Sequence, residues 1–84
     1  MHDLHEADKI LKLILKNAKA NKFNKVTKAE IDLGQIIEHG AEILDENLHF
    51  NIIILAKGTI AEGLEININK IKATHWILKN IEGE

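Results

Sequence analysis

The absence of cysteine is the feature that most constrains this chain of 84 residues. No disulfide, thiolate zinc site or iron–sulfur cluster can staple the fold, and no thiol can serve as a nucleophile. A fold of this size buries only about 60–65% of the surface its unfolded chain exposes, so its stability margin is thin. Its apolar residues therefore have to form one core, and there is no room for a second domain. Hydrophobic residues make up 45% and charged residues 29% of the chain, the balance of a soluble globular domain.

Other absent residue types remove whole classes of chemistry. Serine, tyrosine, arginine and proline do not occur, and the only hydroxyls are those of Thr27, Thr59 and Thr74. A Ser–His–Asp hydrolase and an arginine clamp for phosphate are both excluded. All basic side chains other than histidine are lysines, which suit a solvated surface better than bidentate recognition. The net charge of −2 and an aromatic content of 4% argue against binding of nucleic acid or an anionic membrane. The apolar stretch at 10–15 is broken or flanked by Lys9, Lys12 and Lys16. It reads as neither a signal peptide nor a membrane span, and the default compartment is the cytoplasm.

Periodicity predicts the elements. Leu4, Ala7, Leu11, Ile14 or Leu15, and Ala18 recur at helical spacing over residues 3–20, with Lys9, Lys12, Lys16 and Lys19 mostly on the other face. Asp3 followed by Glu6 resembles a capping box, and Asp3, Glu6 and Asp8 place negative charge at the positive end of the helix dipole. Residues 26–33 alternate, with Ala29, Ile31 and Leu33 on one side and Lys28, Glu30 and Asp32 on the other, and Gly34 ends this strand. Residues 41–57 carry helical spacing through Ala41, Leu44, Leu48, Ile52 and Leu55. The β-branched run at 50–55 could be a buried strand, but the length of the pattern and the stop at Lys57-Gly58 favour a helix. Leu64, Ile66 and Ile68 alternate with Glu65, Asn67 and Asn69 in a second strand over 64–71, and residues 75–81 form a third after a turn at 72–74. The predicted fold class is α+β: a small three-stranded sheet with two helices on one face, in the order helix-strand-helix-strand-strand, as one domain spanning residues 1–84.

Five histidines raise the question of a metal. His5, His39, His49 and His75 are scattered, none has a partner four residues away, and each alone reads as a surface or half-buried side chain. His2 differs because of its place. The α-amine of Met1, the backbone amide of His2 and its imidazole Nδ1 form one chelating unit, with a five-membered and a six-membered ring. Ni(II) and Cu(II) favour such square-planar nitrogen sites. Asp3 or His5 could fill the remaining position. Free α-amines titrate near about 7.7–8.0 and imidazoles near about 6.5, and both must lose their proton to bind, so affinity should rise between about pH 6 and 8. The competing reading is an ordinary frayed terminus.

The chain also resembles a known family. Met1-His2-Asp3-Leu4 opening into an amphipathic helix is similar to the start of HypA, the nickel-insertion accessory protein of [NiFe] hydrogenase, and of its relative HybF. Val26-Thr27-Lys28-Ala29-Glu30-Ile31-Asp32-Leu33-Gly34 resembles that family's first strand and its closing glycine. Leu48-His49-Phe50, followed by Lys57-Gly58-Thr59, resembles its second helix and the end of that helix. Gly58-Thr59-Ile60-Ala61-Glu62-Gly63-Leu64-Glu65-Ile66 resembles its G-T-x-A-E-G turn into a strand. The resemblance implies a nickel site at Met1, His2 and Asp3, with Met1 retained because a bulky second residue blocks its removal. It also implies transfer of nickel(II), together with a maturation GTPase, toward the hydrogenase large subunit.

Departures from the family pattern shape the expectations. The family carries a zinc domain with two C-x-x-C pairs, whereas here Ile77 follows Trp76 and Asn80 stands where the second cysteine of a pair would be, so no zinc is expected. Residues 72–84 are either a relocated last strand or a remnant of that module. The region 35–47 is longer than usual, and Gly40 or Asp45 could align with an acidic residue that some members place near nickel. His5 stands where the family commonly has a small residue, and is an additional ligand or a neutral change. The leading reading is a non-enzymatic nickel metallochaperone. The second is a metal-independent interaction module on the same fold, and the third a small metal-dependent enzyme, for which no constellation supplies both an open metal and a base. Neither nucleic acid nor membrane is an expected partner, and a homodimer is compatible with these features.

Overall fold

The computed structural model describes residues 2–38 and 41–84, with the side chains of His2, Asp3, Glu38 and Ala41 outside the description. Helix α1 runs His2–Ala20. Ala7, Ile10, Leu11, Ile14 and Ala18 are buried along its inner side, and Lys12, Lys16 and Lys19 are exposed on the other. Lys12 pairs with Asp8 one turn away at 2.9 Å. The helix ends in a Schellman motif: Phe23 N–H donates to Ala18 O at 2.9 Å and Lys22 N–H to Lys19 O at 3.1 Å. Lys22 takes the left-handed conformation this motif requires, with φ 60°, where glycine is the usual residue. The turn brings Phe23 back onto the edge of the core.

The sheet is built around β1, Val26–Leu33, with β4, Glu65–Lys70, on one side and β5, Trp76–Gly83, on the other. β4 runs parallel to β1, pairing Ala29 with Ile66 and Ile31 with Ile68. β5 runs antiparallel, pairing Leu33 with Trp76, Ile31 with Leu78 and Ala29 with Ile81. Trp76 and Leu78 share a parity that Ile81 lacks, yet all three pack against the core. A register shift between Glu30 and Ile31, opposite Lys79, supplies the extra residue that turns Ile81 inward. A second shift, between Val26 and Lys28, likewise lets Val26 and Ala29 both be buried. The outer face of the sheet is polar. Asn69 donates to Glu30 at 3.0 Å and to Asp32 at 3.4 Å, and Lys28 lies 4.0 Å from Glu65 and 3.9 Å from Glu82. Such exposed pairs add little stability and mainly keep this face wet.

A parallel pair needs a crossover. Here it comprises a small hairpin, β2 (Ile37–Glu38) and β3 (Ala41–Glu42), followed by helix α2, Asp45–Leu55. The helical spacing over 41–57 therefore overstates the helix at both ends. At its start, Ala41 and Glu42 pair with the preceding segment, and Ile43 N–H donates to Ile36 O at 2.9 Å, which places the Ile43 side chain in the core before α2 begins. Leu48 and Ile52 are the buried residues of α2, while Phe50 and Ile54 stay exposed on its far side.

The G-T-x-A-E-G turn locks the exit from α2. Thr59 Oγ1 donates to Ala56 O at 2.7 Å and accepts from Ala61 N–H at 3.0 Å, and Glu62 accepts from Gly58 N–H at 2.9 Å. Gly58 and Gly63 both have positive φ. Val26 N–H donates to Ile60 O at 2.9 Å, so the turn also fixes the start of β1. Both helices lie on one face of the sheet, α1 against α2 and β5 and α2 against β4. Ile10, Ile14, Val26, Ile31, Leu48 and Ile52 are fully buried between them. The three-stranded sheet and two helices occur in the expected order, with the two-residue strands of the hairpin added. No helix among the described residues is long and apolar enough to cross a membrane.

Two substitutions test this account by urea denaturation. A Cβ on Gly34 would lie 2.5 Å from Ala73 O and 2.6 Å from His75 O, both fixed backbone atoms. Gly34→Ala is expected to cost about 1–3 kcal/mol, as overpacking does elsewhere. Lys22→Gly relieves a left-handed conformation worth about 1–2 kcal/mol. The greater freedom of the unfolded glycine offsets about 0.4–1 kcal/mol of that, so a modest net gain in stability is expected.

Candidate metal centre at the amino terminus

Of the residues expected to hold metal, Met1 lies outside the described residues, as do the side chains of His2 and Asp3. The backbone of both is part of α1, which begins at His2. The first amides of a helix have no intrahelical acceptor, so the His2 N–H is not committed to the ladder. A metal that displaces its proton breaks no helical hydrogen bond. Asp3 lies inside the helix and not ahead of it, so it does not occupy the cap position that the spacing to Glu6 suggested. Helical register places His5 three residues and Glu6 four residues after His2, which sets all three along one side of α1.

His5 is exposed and borders a shallow groove with Leu4, Asp8 and Leu55. His49 is exposed on α2 near Asp45, Glu46, Ile66 and Ile68, and His75 is exposed just before β5. His39 and Gly40 lie outside the described residues, and Asp45 sits 3.9 Å from the Lys70 ammonium. Among the described residues no group of three His, Asp or Glu side chains converges on a point that could hold a metal.

Glu6 is the feature sequence reasoning missed. Its spacing from Asp3 suggests a role at the cap and the helix dipole, but its side chain is buried, with the residue only 5% exposed. Oε1 accepts a 2.8 Å hydrogen bond from the indole Nε1–H of Trp76, and Lys9 Nζ donates to Oε2 at 3.3 Å. A clue was present in the sequence. Glu6, Ile10, Ile14 and Ala18 follow one another at intervals of four, so the carboxylate heads the most deeply buried line of the helix. Its partner could not be read from spacing, because Trp76 is 70 residues away.

The profile of the family described as "Hydrogenase/urease nickel incorporation, metallochaperone, hypA" matches residues 1–78. The hydrogenase maturation factor HypA of Methanocaldococcus jannaschii is 34% identical over 77 residues, covering 86% of this chain and 59% of that protein. HypA of Legionella pneumophila strain Philadelphia 1 is 32% identical over 72 residues, covering 84% of this chain and 59% of the relative. HypA of Beijerinckia indica is 25% identical over 76 residues, covering 90% of this chain and 64% of the relative. The chain thus spans about three fifths of the length of these curated relatives. With a match over almost all of its residues and the helix–strand–helix–strand–strand order in place, the chain belongs to the HypA family.

Proposed function

We propose that the chain binds nickel(II) at its amino terminus and carries it for insertion into a nickel enzyme, with no catalytic turnover of its own. The observation that carries this reading is a family match that includes residue 1, joined to a helix that starts at His2. The donor set suits the ion. The Met1 α-amine, the His2 amide and His2 Nδ1 offer three nitrogens that can lie in one plane, the arrangement Ni(II) favours. The position of the His2 amide in the first helical turn keeps that donor available. Asp3 is the candidate for the remaining position, with His5, one turn on, as a further ligand.

Nickel is cargo in this reading, and the site has to release it as well as bind it. All three nitrogens compete with protons for the metal, so protonation favours release. Acidic side chains at Asp3, Glu6 and Asp8 offset the repulsion a cation meets at the positive end of a helix. A maturation GTPase and a hydrogenase large subunit are the proposed protein partners, the former helping transfer and the latter receiving the ion.

The test is a Ni(II) titration of the chain with a native, untagged start, beside His2→Gln and a version with one extra residue ahead of Met1. A yellow, planar-type absorption band is expected in the parent alone, strengthening from about pH 6 to 8 as the donors lose their protons. Equal binding by all three proteins would move the site elsewhere, and binding by none would remove the nickel role.

A further inference from the structure

We propose that two copies of the chain pair through the outer edge of β4, joining their three-stranded sheets into one of six strands with α2 and its copy side by side on the same face. The inference is independent of the nickel reading.

Among the described residues β4 has one strand neighbour, β1, so its other edge is open. Ile71 N–H donates to Leu33 O at 2.9 Å. Successive residues of a strand turn their backbone groups to opposite edges, so the N–H and C=O of Ile66, Ile68 and Lys70 point outward. This edge is regular. β4 pairs with β1 without a register shift, whereas the ladder to β5, the other edge strand, carries two. Bulges twist and blunt an edge, and β4 lacks that protection. Lys70 lies at the end of the strand, 3.9 Å from Asp45, and leaves the middle unguarded.

The helix beside that edge is open as well. Leu48 and Ile52 of α2 face the core, while Glu46, His49, Phe50 and Ile53 line a shallow groove on another side. His49 also borders Ile66 and Ile68, so the groove continues the inner face of the sheet past β4. Phe50 is 64% exposed. A lone exposed apolar side chain is ordinary, but this one belongs to an apolar surface next to an unfilled strand edge.

The sequence of β4 fits itself, which is what a two-fold contact demands. An axis through Asn67, normal to the sheet, pairs the strand antiparallel with its copy. On the inner face Ile66 meets the partner's Ile68, and Ile68 meets the partner's Ile66. On the outer face Asn67 meets the partner's Asn67, and Glu65 meets the partner's Asn69. Ile66 and Ile68 then occupy hydrogen-bonded positions, as their outward backbone groups require. β-Branched side chains oppose one another inside, amides and a carboxylate oppose one another outside, and no like charges meet. The same axis keeps both inner faces on one side, so Phe50 and Ile53 are covered by the second α2.

Because the chain has no cysteine, a single introduced thiol reads the register. Cα atoms opposed at a non-hydrogen-bonded antiparallel position lie about 4.5 Å apart, within the about 4.4–6.8 Å that a disulfide spans. Asn67→Cys is expected to cross-link into a dimer under mild oxidation. Asn69→Cys is not, since its two copies lie roughly 13 Å apart along the strands. Both positions are exposed, so neither change loads the core. Sedimentation of the metal-free parent should show a dimer, and Phe50→Glu should raise its dissociation constant about 10-fold or more. Asn67→Lys should also dissociate it, and mixing that variant with Asn67→Asp should restore it. A parent that stays monomeric, equal cross-linking at both positions, or a dimer that Phe50→Glu and Asn67→Lys leave at parental strength would overturn the proposal. No metal enters these measurements, so the nickel reading is judged separately.

Discussion

β1 is the strand on which everything else is hung. It is paired on both edges, parallel to β4 and antiparallel to β5, and its inward side chains fill the middle of the core. The parallel edge is the demanding one, because the chain must leave β1 at one end and return to the other before β4 can form. The hairpin, α2 and the Thr59–Glu62 turn all serve that return, and the turn's bond to Val26 ties the end of the journey to its beginning. In a chain with no covalent staple, this closure and the isoleucine-rich layer between helices and sheet carry the fold.

Much of this was legible from side-chain period. β1 fell where alternation placed it, and α1, β4 and β5 within a residue or two, because each has one wet face and one dry face. α2 was legible as a helix but not in its limits. Ala41 and Leu44 continue the spacing of Leu48 and Ile52 ahead of the helix, so spacing does not show where it starts, and the backbone pairing of β2 with β3 decided that instead. The two register shifts beside β1 were invisible for a related reason. A bulge is recognised only once the partner strand is known.

The site divides in the same way. The proposed Met1-His2 donor set is a matter of covalent connectivity and could be written down from the first two residues. The Glu6–Trp76 bond joins residues from opposite ends of the chain, and only the packing of α1 against β5 brings them together. The G-T-x-A-E-G motif reads differently once folded. Its threonine and glutamate bond to backbone groups of their own turn and so build the scaffold.

Trp76 is the only tryptophan of the chain, and its indole is bonded to the first turns of α1. Its emission therefore reports on one place without the overlapping signals that complicate larger proteins. Copper(II), which favours the planar nitrogen donors of the proposed site, is paramagnetic and quenches nearby fluorophores, so loading of that proposed site would be followed by light alone, without any attached dye.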